Sequence, residues 1–164
     1  MRFPTPIVVL ALGVLTLALG PATASARGLN RAESRIVQLL NDIRADHGLP
    51  SFAVSRALSR ASRRHSGEMI DGDYFDHDTL QTGESWDHRV RSYVDAARIG
   101  ENLAWGSGTY ATPEMIVKMW MDSAPHRRCI LDGHFRRVGI GRAVGAFRGE
   151  DVAAVFTADF ASSR

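Results

Sequence analysis

The chain has 164 residues, a formal net charge of +2 at neutral pH and a single cysteine. Its basic residues occur at most in adjacent pairs, which argues against nucleic-acid binding because counterion release needs many clustered cations. One cysteine cannot form an intramolecular disulfide, so the fold must be held by packing.

The first residues predict a secretory signal peptide. Arg2 precedes an apolar run of 13 residues (7–19), and a small-residue segment ends in Ala24-Ser25-Ala26. This pattern is typical of a cleaved export signal, and the run is shorter than the roughly 20 residues that span a membrane. We expect cleavage after Ala26 and export, with an uncleaved anchor as the alternative. Removing 26 of the 164 residues leaves 138, with no transmembrane segment, enough for one domain with its own core.

Helical signals dominate the first three quarters of the mature chain. Residues 30–50 carry apolar side chains at helical spacing, and Gly48 and Pro50 end the pattern. Residues 55–70 predict a second helix with Ser55 as its N-cap, and residues 85–94 predict a short third one capped by Ser85. A fourth helix is expected after Thr112, with Pro113 in its first position.

The other segments indicate β-structure. Residues 97–108 predict a short strand or an extended loop, and residues 137–145 and 151–160 predict the two strands of a C-terminal hairpin. The glycines of "GIG" at 139–141 indicate close backbone approach within a strand. Helices followed by a hairpin predict an α+β fold, with helices packed on a small antiparallel sheet.

The stretch "WMDSAPHRRCIL" (120–131) contains the chain's one cysteine and a candidate histidine. Its helical pattern is expected to break at Pro125, directly before His126. His126 is then either a site residue or a cation at a helix C-terminus. Cys129 is either a small buried hydrophobe or an exposed thiol, and the apolar Ile130 and Leu131 beside it favour burial.

Four segments in a fixed order resemble the CAP superfamily, which comprises cysteine-rich secretory, antigen 5 and pathogenesis-related 1 proteins. They are "HSGEMIDGDYFDH", "GENLAWG", "WMDSAPHRRCIL" and "RVGIGRAVG…VFTADF". The likeness is to the bacterial secreted branch without disulfides, and it implies an α-β-α sandwich. We expect the domain at residues 34–162, after a short lead at residues 27–33.

The resemblance also implies a site. His77, Glu101 and His126 match three positions of a central cavity in which some family members bind a divalent metal. Asn102 and Ser123 are expected in the same pocket, and Ser123 stands where other members have a second glutamate. The missing carboxylate implies that Zn²⁺ or Mg²⁺ binding, if present, is weak and facultative.

The chemistry of this trio is sensible, but ordinary structural roles stay open. Two histidines and a glutamate with an open fourth position form one of the known catalytic zinc arrangements, and Asp76 or Asp78 could orient the His77 ring. Equally, Glu101 could pair with an arginine, and Asn102 could bond local backbone. Among the other histidines, His65 is expected in the core, whereas the surface is predicted for His47, His88 and His134.

We therefore expect a secreted binding or interaction module, a monomer whose cavity takes a divalent metal or a small apolar ligand. Its partner would be an unidentified extracellular ligand, lipid or protein. The alternative is a metal-assisted extracellular hydrolase that acts on peptide or cell-wall material through the His₂Glu site. The third hypothesis is a purely structural domain in which the histidines serve only in packing. Neither an H-E-x-x-H nor a G-x-S-x-G motif occurs, so the sequence leaves enzymatic activity undecided.

Overall fold

The computed structural model describes residues 28–163. The predicted signal peptide, residues 1–26, lies outside this range. The described chain forms five α-helices and four β-strands. In chain order they are α1 (Arg31–Asp46), β1 (Ala53–Val54), α2 (Arg56–Gly72), α3 (Trp86–Arg91), β2 (Ile99–Ser107), α4 (Pro113–Asp122), α5 (Ala124–Leu131), β3 (Phe135–Phe147) and β4 (Glu150–Ser162).

Local capping signals explain where three helices begin. The Asn30 side chain accepts a bond from the Glu33 N–H (2.9 Å), and the Glu33 carboxylate accepts one from the Asn30 N–H (2.8 Å), which is a capping box. Ser55 and Thr112 cap α2 and α4 through their hydroxyl groups. The predicted helices are thus confirmed, but Ser85 does not cap α3: its hydroxyl bonds the Asp87 carboxylate at 2.7 Å.

The predicted break in the helical pattern is present, but it lies at Ser123, two residues before Pro125. Helix α4 ends at Asp122, and α5 starts at Ala124 with Pro125 in its first turn. A proline fits there because the first N–H groups of a helix have no intrahelical acceptor. His126 consequently lies in the first turn of α5, so a role as a cation at a helix C-terminus is ruled out.

The four strands form one sheet in the order β1-β3-β4-β2. Strands β3 and β4 form the predicted hairpin, and their turn places Arg148 (φ 49°) and Gly149 (φ 85°) in the left-handed region. The segment predicted as a strand or loop is a complete strand, β2, antiparallel to β4 along its whole length. The two-residue β1 runs parallel to β3, so the sheet is antiparallel except at this edge.

Helices cover both faces of the sheet, which confirms the α-β-α sandwich. Alternate residues of the strands, such as Ile140 and Phe156, pack with α1, α4 and α5. Trp120 of α4 is fully buried in this layer. Side chains on the opposite face pack with α2, for example Val155 against the cluster that contains Met69.

Helix α2 approaches β3 backbone to backbone. A Cβ atom on Gly139 would lie 2.2 Å from the Leu58 carbonyl carbon, and one on Gly141 would lie 2.1 Å from that of Ser62. The close approach predicted from "GIG" is therefore confirmed. Within residues 28–163, no helix has both the length and the apolar character needed to cross a membrane.

Candidate binding site

The site begins with a bond between a loop histidine and a buried carboxylate. His77 lies in the loop between α2 and α3, and Glu101 is the third residue of β2. Their Nδ1 and Oε1 atoms are 2.7 Å apart, with the His77 side chain 49% exposed and that of Glu101 only 1% exposed. Glu101 thus orients the His77 ring, a role that the sequence had suggested for Asp76 or Asp78. Asp78 instead accepts a bond from the Trp86 N–H at 2.8 Å.

Arg89 of α3 occupies the other side of the same carboxylate. Its Nη2 bonds Glu101 Oε2, and its Nη1 donates to the main-chain oxygen of His77 at 2.7 Å. The Arg89 side chain is fully buried. The alternative in which Glu101 pairs with an arginine is therefore confirmed. Arg89 itself was missed, because its buried position is set by tertiary packing and no spacing pattern reveals it.

A second carboxylate lies behind this pair. Asp159 of β4 is directly opposite Glu101 in the antiparallel register, and its Oδ2 accepts a bond from the Ser62 hydroxyl at 2.8 Å. Burial, together with the nearby charge of Glu101, raises the pKa of Asp159 well above its ordinary value. Of the two carboxyl groups, the buried guanidinium of Arg89 bonds only Glu101, so the raised pKa of Asp159 favours the neutral form of this second carboxyl group.

The second histidine is brought to the site by α5 and β2. The Asn102 amide donates to the main-chain oxygen of His126 at 3.0 Å, which ties the first turn of α5 to the strand that carries Glu101. Asn102 is fully buried. It bonds backbone that is 24 positions away, so the alternative of a local backbone bond is not the one that the structure shows.

His77 and His126 face a common cavity of about 200 Å³. Its walls are Phe75, Asp76, His77, Leu103 and His126. Phe75 and Leu103 were not predicted, and neither carries a chemical signal in the sequence. Ser123 is not among the lining residues: it separates α4 from α5, and its side chain makes no capping bond.

The two imidazoles experience opposite influences. The bond to Glu101 raises the pKa of His77 and outweighs the lowering effect of burial. Burial, followed by the nearby charge of His77, lowers the pKa of His126. For Glu101, burial alone would raise the pKa, but the bond from His77 and the charge of Arg89 lower it. The cavity therefore pairs a more basic imidazole with a less basic one.

The remaining histidines lie where the sequence placed them. His65 is fully buried, with its Nε2 2.9 Å from the Asp76 main-chain oxygen, whereas His47, His88 and His134 are exposed. Cys129 is half-buried, and burial raises the pKa of its thiol. A raised pKa disfavours the thiolate, so Cys129 is poorly suited to act as a nucleophile.

The donor set does not fit a three-ligand His₂Glu metal site. Both oxygens of Glu101 are engaged, one by His77 and one by Arg89, and the Arg89 guanidinium disfavours a second cation on that carboxylate. In residues 28–163, no group of three or more His, Cys, Asp or Glu side chains is arranged to hold a metal ion. Because Glu101 bonds Nδ1 of His77, Nε2 is the ring nitrogen that this bond leaves available to a ligand. Metal binding itself stays a prediction.

Comparison with known proteins identifies the fold family. The model of the CAP family, described as the cysteine-rich secretory protein family, matches residues 37–160. The chain belongs to this family. The resemblance inferred from the four sequence segments is thereby confirmed, and the α-β-α sandwich agrees with it.

Two proteins of Bacillus subtilis are similar to this chain in sequence. The protein YkwD of Bacillus subtilis is 34% identical over 119 residues, covering 73% of this chain and 45% of the relative. The B. subtilis membrane protein YlbC is 29% identical over 110 residues, or 67% of this chain and 31% of the relative. The chain thus spans less than half the length of these curated relatives.

Solved structures show the same fold. An extracellular protein of Bacillus anthracis that contains an SCP domain superposes with a TM-score of 0.69 and 26% identity, covering 88% of this chain and 45% of that protein. An outer surface protein of Borrelia burgdorferi has a TM-score of 0.68 over 80% of this chain and 92% of its own. Its 14% identity supports a common fold alone.

Proposed function

We propose that this CAP protein acts outside the cytoplasm as a binding module and that the cavity between His77 and His126 is its ligand site. Export is supported by the predicted signal peptide and by the similar B. anthracis protein, which is described as extracellular. The single observation that carries the choice of site is the pair of imidazoles on one cavity, with one of them oriented by a buried carboxylate.

The size and chemistry of the cavity favour a metal ion as its ligand. A volume of about 200 Å³ is below the roughly 300–1,000 Å³ of pockets that enclose drug-sized molecules. A lipid chain would find little room, whereas an ion with its water molecules fits. Imidazole nitrogens prefer Zn²⁺ or similar transition metals to Mg²⁺. Two protein ligands make a weak site, consistent with facultative binding.

Binding is better supported than catalysis. With both Glu101 oxygens engaged, a zinc ion here would have two imidazole ligands in place of the three protein ligands usual in catalytic sites. A metal-assisted hydrolase is the second candidate, and the observation that favours it is the presence of Asp76 in the cavity wall, where its carboxylate could serve as the general base.

Zinc titration by calorimetry at neutral pH tests the proposal. The parent protein should bind one Zn²⁺, and His77→Ala and His126→Ala should each weaken binding by about tenfold or more. His88→Ala is the matched control, since this exposed histidine is bonded to Glu84 and does not line the cavity. Absence of binding in the parent protein, or an equal loss in the His88 variant, would contradict the assignment.

A further inference from the structure

A second concave surface lies along the N-terminal half of α2, away from the cavity between the two histidines. It has a volume of about 430 Å³ and is formed where the start of α2 meets β1 and the segment before α1. We call it the arginine groove. Its lining residues are Gly28, Leu29, Val54, Arg56, Ser59, Arg60 and Arg63, so it contains three arginines and no carboxylate.

One of these arginines is already neutralised. Arg63 Nε donates to Glu33 Oε1 at 2.8 Å, and Arg63 Nη2 donates to the main-chain oxygen of Gly28 at 2.5 Å. The hydroxyl proton of Ser59 is also engaged, because it is donated to the Ser55 carbonyl at 3.0 Å. These contacts build the wall of the groove and leave little capacity to bind a ligand.

The other two arginines have no acceptor among the described residues. Arg56 and Arg60 are exposed, and within residues 28–163 neither side chain makes a hydrogen bond or ion pair. Arg64 on the same helix shows the contrast, because it is paired with both Glu68 (2.7 Å) and Glu84 (3.2 Å). The groove therefore carries two uncompensated positive charges, one helical turn apart.

We propose that the arginine groove binds a phosphate group, held between Arg56 and Arg60. Side chains at i and i+4 are neighbours on a helix surface, so both guanidinium groups can reach the same anion. Guanidinium forks match phosphate oxygens, and a phosphate monoester carries close to two negative charges at neutral pH, equal to the unpaired charge of the groove. Leu29 and Val54 add an apolar wall for the group that bears the phosphate.

Titration with inorganic pyrophosphate tests the phosphate chemistry. The parent protein should bind pyrophosphate, and the double variant Arg56→Gln/Arg60→Gln should bind it about tenfold or more weakly, since each charge-assisted bond contributes substantially. The control is Arg128→Gln/Arg148→Gln, which removes the same charge from two exposed arginines outside the groove. Circular dichroism checks that both variants are folded, as expected for exposed positions.

A parallel arm separates the two sources of such a phosphate. Co-sedimentation with phosphatidylglycerol/phosphatidylcholine vesicles reports a lipid headgroup, whereas pyrophosphate reports a soluble phosphate ester. If the groove variant alone loses binding, the site is supported, and the arm in which binding is lost identifies the source of the phosphate. Binding by the parent protein in neither arm, or equal loss in both double variants, would overturn the proposal, since the latter outcome indicates a net-charge effect. The result is independent of zinc binding at His77.

Discussion

Arg89 offers the sharpest test of how the site is built, through the substitution Arg89→Met. The guanidinium is fully buried, and it bonds the Glu101 carboxylate and the main-chain oxygen of His77. Methionine retains much of the apolar stem but none of the donors. Glu101 would then be a buried carboxylate facing Asp159 without its guanidinium partner, bonded only to the half-exposed His77.

The expected loss of stability is large. Removing one partner of a buried ion pair costs about 3–5 kcal/mol, because the other charge stays desolvated and unpaired. For a domain of this size, that corresponds to a melting temperature lower by roughly 10–20 °C. In contrast, Arg35→Met removes the ion pair between Arg35 and Glu114, whose side chains are 40% and 55% exposed. Such a pair contributes less than about 1 kcal/mol.

Urea denaturation monitored by circular dichroism measures these differences, with Glu101→Leu and the double variant completing a mutant cycle. The double variant should lose less stability than the sum of the two single variants, because no charge is left unpaired. The deficit of Arg89→Met should also shrink towards pH 4. Without Arg89, burial raises the pKa of Glu101, so this carboxylate is protonated as the pH falls. A loss below about 1 kcal/mol, or strict additivity, would refute the buried-pair interpretation.

Three further results are expected. Gly141→Ala should destabilise the protein by about 1–3 kcal/mol in thermal or urea unfolding, because its Cβ would lie 2.1 Å from the Ser62 carbonyl carbon. Gly67→Ala in the same helix–strand layer, with no atom within 4 Å of the new Cβ, should be neutral or stabilising, and the prediction fails if the two variants behave alike. The raised pKa of Asp159 means that its contribution to stability is present below the unfolded-state pKa and is lost as the pH rises through the folded-state value. Asp159→Asn should therefore flatten the fall in unfolding free energy that begins as the pH rises above the ordinary carboxyl pKa of about 4, and an unchanged profile would contradict this assignment. Zinc affinity measured by calorimetry should increase from pH 6 to pH 8, since the raised pKa of His77 keeps this ligand protonated at lower pH, and a flat profile would argue against His77 as a ligand.

Local signals in the sequence were sufficient to locate most of the fold. The capping box at Asn30 and Glu33 and the turn residues of the hairpin act over a few positions, so the helices and strands that they start or join are visible without tertiary information. Pro125 misled because a proline is compatible with both the end of one helix and the first turn of the next. Packing of α5 against β2 resolved that ambiguity.

The candidate site depends on tertiary structure more than the helices and strands do. His77, Glu101 and His126 could be selected from motifs, and the structure places both histidines on one cavity. The role of Glu101 depended on Arg89, a residue 12 positions away whose burial follows from how α3 packs on the sheet. Hydrogen-bond partners and desolvation arise only when distant segments meet, and sequence spacing carries no record of them. Tertiary structure alone decided that this carboxylate is bonded to both a histidine and a buried arginine.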